Sequence, residues 1–149
     1  MVEFIWRGDA PIPPTMPVTQ VYGVLFDGDG NILIRNDEGI CGLIGGTPEK
    51  GETREQTLQR EALEEVNCEI SDLHYLGYQE VRGDGEPYAQ LRYVAKVKKI
   101  GPVRPDPDNG RTYERLFVAP AVAIKLIKYT SGDTIINSAV ELAKTTGII

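Results

Sequence analysis

Residues 45–70 read GGTPEKGETREQTLQREALEEVNCEI, a glycine-rich turn followed by a run of acidic residues. The second part has the pattern of a helix over residues 53–66, whose start Thr53 or Glu52 can cap. Its apolar residues recur every four positions and form one stripe; they are Leu58, Ala62 and Val66. A helix that enters from glycines and buries one stripe against a sheet is therefore the element from which we predict the fold.

Three carboxylates, those of Glu61, Glu64 and Glu65, project within about 100° of arc on this helix. A solvated charged face is the common reason for glutamates on a helix, because like charges there cost only a few tenths of a kcal/mol per pair. Gly45 and Gly46, however, let the backbone approach a ligand closely and expose its carbonyls or amides to that ligand. Mg²⁺ prefers oxygen ligands such as these carbonyls. The combination favours a cation site that needs neither histidine nor cysteine.

Residues 46–68 closely resemble the Nudix box, G-x5-E-x7-R-E-U-x-E-E-x-G-U, in which U is a bulky aliphatic residue. Six of its fixed positions are occupied, by Gly46, Glu52, Arg60, Glu61, Glu64 and Glu65. Asn67 stands where the pattern has its last glycine, and we interpret it as a helix stop, because asparagine tolerates the left-handed conformation. Ala62 and Cys68 are smaller than the pattern's aliphatic residues, which affects packing rather than chemistry.

The resemblance implies a Nudix-type α/β/α sandwich with a mixed β-sheet between helices. Nudix enzymes hydrolyse a nucleoside diphosphate linked to another group, using Mg²⁺ or Mn²⁺. Carried over by position, the metal ligands are Glu61, Glu64 and Glu65, with the Gly45 carbonyl as a plausible addition. Glu52 and Arg60 are expected to pair and hold the loop on the helix.

The proton acceptor for the attacking water comes, in this family, from the box or from a later loop. Outside the box the candidates are Glu114, Asp106, Asp108 and Glu80, and Glu114 is preferred because it precedes the apolar stretch RLFV. Candidates for neutralising phosphates are Arg82, Arg92, Arg104 and Arg111. Candidates for stacking a base are Tyr22, Tyr78, Tyr88 and Phe117. A solvated arginine or a core aromatic explains each of these more simply.

The rest of the chain predicts a mixed α/β domain over residues 1–149, with an N-terminal strand and Pro-rich connector over 1–17. Alternation of β-branched and apolar residues with turns predicts the following strands: 2–6, 18–26, 31–35, 39–46, 71–81, 87–97 and 111–119. The turns DGDGN and RGDGE predict that four of them form two hairpins. Helices are predicted over 120–129 and 133–147.

The 149 residues suit one domain, with a net charge of −6 and a sequence pI of about 4.8. Such a charge excludes non-specific binding to nucleic acid or to anionic lipid, and no stretch is apolar enough to span a membrane. The N-terminus lacks the basic start and apolar run of a signal peptide, so we expect a cytoplasmic protein. Its expected partner is a small-molecule nucleotide. Trp6 could also pack against a second subunit in a homodimer.

Three functions compete. The first is a Mg²⁺-dependent pyrophosphohydrolase. The second is a catalytically silent Nudix-fold module that senses a nucleotide, against which the intact Glu61, Glu64 and Glu65 argue. The third is an ordinary α/β domain whose acidic helix is merely solvated.

Overall fold

The computed structural model describes residues 1–128 and 132–149. Over this part of the chain it contains eight strands and three helices. The strands are β1 Glu3–Gly8, β2 Val18–Phe26, β3 Ile32–Asp37, β4 Ile40–Gly42, β5 Ile44–Gly46, β6 Cys68–Arg82, β7 Tyr88–Ile100 and β8 Glu114–Val118. The helices are α1 Arg54–Val66, α2 Pro120–Leu126 and α3 Gly132–Thr145.

All eight strands belong to one mixed sheet. Its main path runs β1-β6-β7-β2-β3-β4, while β5 pairs with β2 and β8 pairs with β3. The neighbours β2 and β7 run parallel, with Tyr22 opposite Arg92, whereas the other pairs are antiparallel. Strand β2 therefore lies at the centre, where it forms the first hairpin with β3 and pairs with β7 of the second.

Two apolar cores lie on opposite faces of this sheet. One is formed with α1, whose predicted stripe of Leu58, Ala62 and Val66 is at most 3% exposed. The other is formed with α2 and α3, through residues such as Ala123, Ile136 and Ala139. Helices thus cover both faces, and the predicted α/β/α sandwich is confirmed.

Local sequence signals account for both ends of α1. Thr53 accepts a hydrogen bond from Gln56 N–H while the Gln56 side chain accepts one from Thr53 N–H, a reciprocal cap. At the other end Asn67 has φ 47° and ψ 51°, in the left-handed region. Its N–H donates to Ala62 O and Leu63 O, so the interpretation of Asn67 as a helix stop agrees with the structure.

Several predicted boundaries differ from the observed ones. The predicted strand 39–46 is two strands. Its first part pairs with β3 as β4, and its second part pairs with β2 as β5. The second hairpin is longer than expected, since β6 and β7 extend past both of its predicted ends. Helix α2 ends at Leu126, and position 129 of the predicted helix lies outside the described residues. None of the three described helices is long and apolar enough to cross a membrane.

The pairing of β5 with β2 positions the start of the acidic helix. Gly45 lies opposite Tyr22, and a Cβ at Gly45 would collide with the backbone of Val21 and Tyr22. Glycine is therefore needed here for β5 to lie against the central strand. The next segment, residues 47–53, leads directly from this strand into α1.

Candidate active site

A cleft of about 510 Å³ opens between the loop that follows β5, helix α1 and the segment that joins β7 to β8. Six carboxylates line it: Glu49, Glu61, Glu64, Glu65, Asp106 and Asp108. Among the described lining residues the guanidinium groups are two, those of Arg35 and Arg60. The predicted acids of α1 are thus brought together with acids from a distant loop.

Glu65 is the most buried acid of α1, with 5% of its surface exposed. Its Oε1 accepts a hydrogen bond of 2.8 Å from the N–H of Gly45, and its Oε2 lies 2.8 Å from Nη1 of Arg35. Burial raises the pKa of Glu65 to about 8, and the Arg35 charge and the Gly45 hydrogen bond oppose that rise. The predicted role of Gly45 rested on its carbonyl, whereas the contact observed here uses its N–H.

Arg60 braces the glycine-rich loop against the helix. Its Nε donates to Glu52 Oε2 at 2.7 Å, and its Nη2 donates to Thr47 O at 3.0 Å. The hydrogen bond from Arg60 lowers the pKa of Glu52 to about 2, and the same pairing raises the pKa of Arg60. The structure therefore brings together the two residues expected to hold the loop on the helix.

The same guanidinium also faces two acids of the cleft. Nη1 of Arg60 lies 2.9 Å from Glu61 Oε1 and 3.3 Å from Glu64 Oε2. Burial raises the pKa of both acids, and Arg60 opposes the rise. A Cβ at Gly46 would collide with the Glu61 carboxylate. The absence of a side chain at Gly46 thus leaves the space in which this carboxylate lies.

Arg35 and Tyr113 complete the cleft and were not predicted from the sequence. Arg35 comes from β3 and stacks on the Tyr113 ring, with its guanidinium carbon 4.5 Å from the ring centroid. Tyr113 is fixed in turn by Asn109, whose Nδ2 donates to its hydroxyl at 2.8 Å. The one available sequence signal was a cation that ends the apolar run NILIR of the first hairpin.

The four acids considered as proton acceptors separate clearly. Asp106, which is 3% exposed, and the exposed Asp108 both line the cleft. Glu114, the preferred candidate, is exposed on β8, where it accepts a hydrogen bond of 2.8 Å from Asn36 and does not line the cleft. Glu80 lies on β6 and is paired with arginines. The pairing of β8 with β3 directs Glu114 to the sheet edge.

The arginines proposed as phosphate contacts lie outside the described cleft lining. Arg82 pairs with Glu80, and Arg111 Nη1 lies 2.6 Å from Asp37 Oδ2. Arg104 Nη2 donates to the backbone carbonyl of Leu63 at 3.4 Å. Arg92, considered in the same group, is 2% exposed and stacks on the ring of Tyr22 at 4.8 Å.

Of the aromatic candidates for base stacking, the structure brings one to the cleft. Tyr22 lines it from the central strand β2. Tyr78 is buried in the core under α1, Tyr88 is half-buried on β7, and Phe117 is 40% exposed on β8. None of these three side chains lines the cleft.

The donor set of the cleft suits a hard divalent cation, because it consists of carboxylate and backbone oxygens. Within residues 1–128 and 132–149, however, no three acidic, histidine or cysteine side chains converge on one point. Guanidinium groups lie between these acids: Arg60 contacts Glu61 and Glu64, and Arg35 contacts Glu65. The residues fit a cation in kind, and binding one requires these carboxylates to exchange guanidinium contacts for it.

Fold and cleft together define a class: an α/β/α sandwich whose acidic helix is entered from a glycine loop. The family model for the NUDIX domain matches residues 16–134. The chain belongs to the Nudix family. No curated protein sequence matches it significantly.

Solved Nudix structures share this fold at low sequence identity. The Bacillus subtilis pyrophosphohydrolase BsRppH superposes with a TM-score of 0.71 at 20% identity, covering 98% of this chain and 91% of that one. The Escherichia coli dihydroneopterin triphosphate pyrophosphohydrolase gives 0.60 at 15% identity, with coverages of 87% and 100%. The Caenorhabditis elegans Ap4A hydrolase gives 0.56 at 17% identity, with coverages of 85% and 98%.

Proposed function

We propose that this protein is a hydrolase that uses Mg²⁺ or Mn²⁺ to cleave the pyrophosphate bond of a nucleoside diphosphate linked to another group. The observation that carries the proposal is the meeting of Glu61, Glu64 and Glu65 with Asp106 and Asp108 in one cleft. Three of these acids occupy the family's positions on α1. The other two come from a segment some forty positions away in the chain, so the meeting is a property of the fold.

Electrostatics supports a cation-dependent reaction. A pyrophosphate is anionic, and a protein of net charge −6 cannot hold it beside six carboxylates without inverting the local field. Carboxylates of this kind hold Mg²⁺ or Mn²⁺ together with substrate phosphates. A cation bound there supplies charge neutralisation for phosphate oxygens and makes a water molecule nucleophilic at neutral pH.

The chain's own groups have distinct tasks in this proposal. Glu61, Glu64 and Glu65 hold the cation, and the Arg60–Glu52 brace keeps the loop that ends at Gly46 in place. Arg35, the other arginine among the described lining residues of the cleft, takes no part in that brace, and its side chain is 27% exposed. A planar guanidinium binds phosphate oxygens in bidentate fashion, so Arg35 contacts a substrate phosphate.

The proton of the attacking water goes to a carboxylate of the cleft. Asp106 and Asp108 replace Glu114 as the acids outside α1 that can take it, because they line the cleft and Glu114 does not. Asp108 N–H donates to Asp106 Oδ1 at 2.9 Å, which holds the two residues as one unit. Single Asp106→Asn and Asp108→Asn variants separate their contributions in a pH–rate profile.

A substrate panel tests the proposal. The panel comprises nucleoside triphosphates, nucleotide sugars, ADP-ribose and dinucleoside polyphosphates, each with Mg²⁺, with Mn²⁺ and with a chelator. We expect cleavage of the pyrophosphate bond in at least one class with either cation and none with the chelator, detected by chromatography as the two phosphorylated products, one of which is a nucleotide. A protein that saturably binds Mn²⁺ and a nucleotide yet hydrolyses no compound would be a sensor, and that result would overturn the proposal.

A further inference from the structure

Asn67 departs from the glycine of the family pattern, and its backbone alone does not explain the departure. The left-handed φ of 47° and the N–H bonds to Ala62 O and Leu63 O end the helix. A glycine would make the same bonds with less conformational cost. What distinguishes asparagine is therefore its side chain.

That side chain joins the end of α1 to the start of the segment between β7 and β8. Asn67 Nδ2 donates to Pro102 O at 2.9 Å, and Gly101 N–H donates to Asn67 O at 2.9 Å. Arg115 adds a second link from β8, since its Nη1 donates to Val66 O at 3.0 Å and to Gly101 O at 2.6 Å. The junction thus combines backbone and side-chain bonds from three elements.

The neighbouring glycine matches the asparagine. A Cβ at Gly101 would collide with the Nδ2 of Asn67, so the amide reaches Pro102 only because Gly101 has no side chain. The two residues are distant in the chain and complementary in space. This complementarity indicates that Asn67 makes a specific contact and does not merely replace glycine as a tolerated helix-ending residue.

The segment that this junction anchors carries much of one wall of the cleft. Asp106, Asp108, Asn109 and Tyr113 all line the cleft and all follow the junction within twelve residues. Within the segment, Asp106 N–H donates to Arg111 O, and Arg111 pairs with Asp37. The segment is therefore tied down at both ends, and Asn67 provides a tie at the end nearest α1.

We propose that Asn67 is a positioning residue: its amide holds the segment 101–113 against the end of α1, and so sets where Asp106 and Asp108 lie relative to Glu61, Glu64 and Glu65. The tie exists whether or not the protein is a hydrolase. Its effect on catalysis rests on the function proposed above. Negative charge close to the α1 acids strengthens cation binding, so a displaced segment weakens it.

Two variants separate the amide from the helix cap. Asn67→Gly keeps every backbone bond and improves the left-handed cap, whereas Asn67→Asp keeps the shape and worsens the cap by placing an anion at a helix C-terminus. Neither can donate to Pro102 O. Arg104→Ala is the matched control, because Arg104 links the same segment to α1 through a longer bond, of 3.4 Å against 2.9 Å for Asn67.

The readouts are amide hydrogen exchange over residues 103–111 and the affinity for Mn²⁺ alone, measured by electron paramagnetic resonance. We expect both Asn67 variants to exchange faster in this segment, and Asn67→Gly, which adds no charge, to bind Mn²⁺ about tenfold more weakly, as changes outside the ligand shell typically do. Arg104→Ala should match the wild type. The thermal midpoint should rise or stay constant in Asn67→Gly and fall in Asn67→Asp. A loss of cation affinity in Asn67→Gly without a loss of stability would show that the affinity depends on the amide and not on the helix cap.

A double-variant cycle gives the decisive result. Gly101→Ala alone displaces the Asn67 amide and should lower the Mn²⁺ affinity as Asn67→Gly does. In the Asn67→Gly background the same alanine has no amide to displace, so the two effects should not add. Wild-type exchange and Mn²⁺ affinity in Asn67→Gly, or full additivity of the two changes, would overturn the inference. If the Asn67 variants exchange faster and Asn67→Gly binds Mn²⁺ more weakly, but the wild-type protein hydrolyses no compound of the panel, the inference about Asn67 stands and only the proposed function is overturned.

Discussion

Arg35 Nη1 lies 2.8 Å from Glu65 Oε2, so a cation from β3 meets the most buried acid of α1 inside the cleft. Tyr113 covers the face of the same guanidinium. The position of Arg35 is therefore defined by an acid on one side and a ring on the other. Under the proposed function, a substrate phosphate engages the hydrogen-bonding edge of this group, part of which Glu65 already occupies.

The first prediction concerns that edge. Arg35→Met should raise KM for the nucleotide substrate by about tenfold or more, because a charge-assisted hydrogen bond is worth roughly 1.5–3 kcal/mol. Arg35→Lys should have a KM between those of the wild type and Arg35→Met, since lysine keeps the charge and loses the planar fork of the guanidinium. Steady-state kinetics with the best compound of the panel measures this. An unchanged KM in Arg35→Met would exclude Arg35 as a phosphate contact.

Glu65→Gln tests the cation site itself. The amide keeps the shape and removes the group that ionises to bind a cation, so we expect turnover to fall by about 10²-fold or more while the fold persists. Glu69→Gln is the control, because Glu69 is exposed at the start of β6. Circular dichroism and thermal unfolding establish that both variants fold. Near-full activity in Glu65→Gln would refute its assignment as a metal ligand.

Gly46→Ala tests the space beside Glu61. The added Cβ would collide with the Glu61 carboxylate and displace it. We therefore expect Mn²⁺ affinity to fall by about tenfold with little loss of folded protein. Gly28→Ala provides the comparison, because a Cβ there meets nothing within 4 Å. Equal Mn²⁺ titrations for the two alanine variants would contradict the prediction.

A pH-dependent contribution to stability is expected from Glu80. The hydrogen bond from Arg82, together with Arg7, holds the pKa of this carboxyl below its usual value. A depressed folded-state pKa stabilises the protein above the unfolded pKa, and that stability is lost as pH falls through the folded pKa. The difference in unfolding free energy between wild type and Glu80→Gln should therefore shrink from pH 7 to pH 3. Urea titrations at each pH measure it, with the exposed Glu86→Gln as reference.

The two cysteines should differ in reactivity. Burial raises the pKa of Cys68 to about 11 and the residue is fully buried, whereas Cys41 is partly exposed. At pH 8 a thiol of that pKa is roughly one part in a thousand thiolate, and the thiolate is the reactive form. Iodoacetamide in the native state should label Cys41 and spare Cys68 until urea is added. Peptide mass spectrometry measures the labelling of each cysteine. Labelling of Cys68 before urea is added would contradict the prediction.

Three expectations drawn from the sequence stay predictions: that residues 1–149 form one domain, that the protein is cytoplasmic, and that it forms a homodimer. Trp6 packs on the core formed with α3, which is an intramolecular role.

The sequence by itself determined the elements whose causes are local. The cap at Thr53, the apolar stripe of α1 and the acids on its other side follow from spacing along one helix. The pairing of Arg60 with Glu52 was implied by the family resemblance, and the two side chains lie 2.7 Å apart in the structure. These signals placed three acids of the cleft on α1, where the structure has them.

Only the tertiary structure decided what faces those acids. Arg35 and Asp106 reach the cleft, and Glu114 is directed away from it, because β8 pairs with β3 and the preceding segment folds over α1. Asn67 became a tie to Pro102 through a contact between residues 35 positions apart. Such pairings depend on the register of distant strands, which no local periodicity encodes. The acids of α1 could therefore be predicted from the sequence, whereas Arg35, which pairs with one of them, and the opposite wall of the cleft could not.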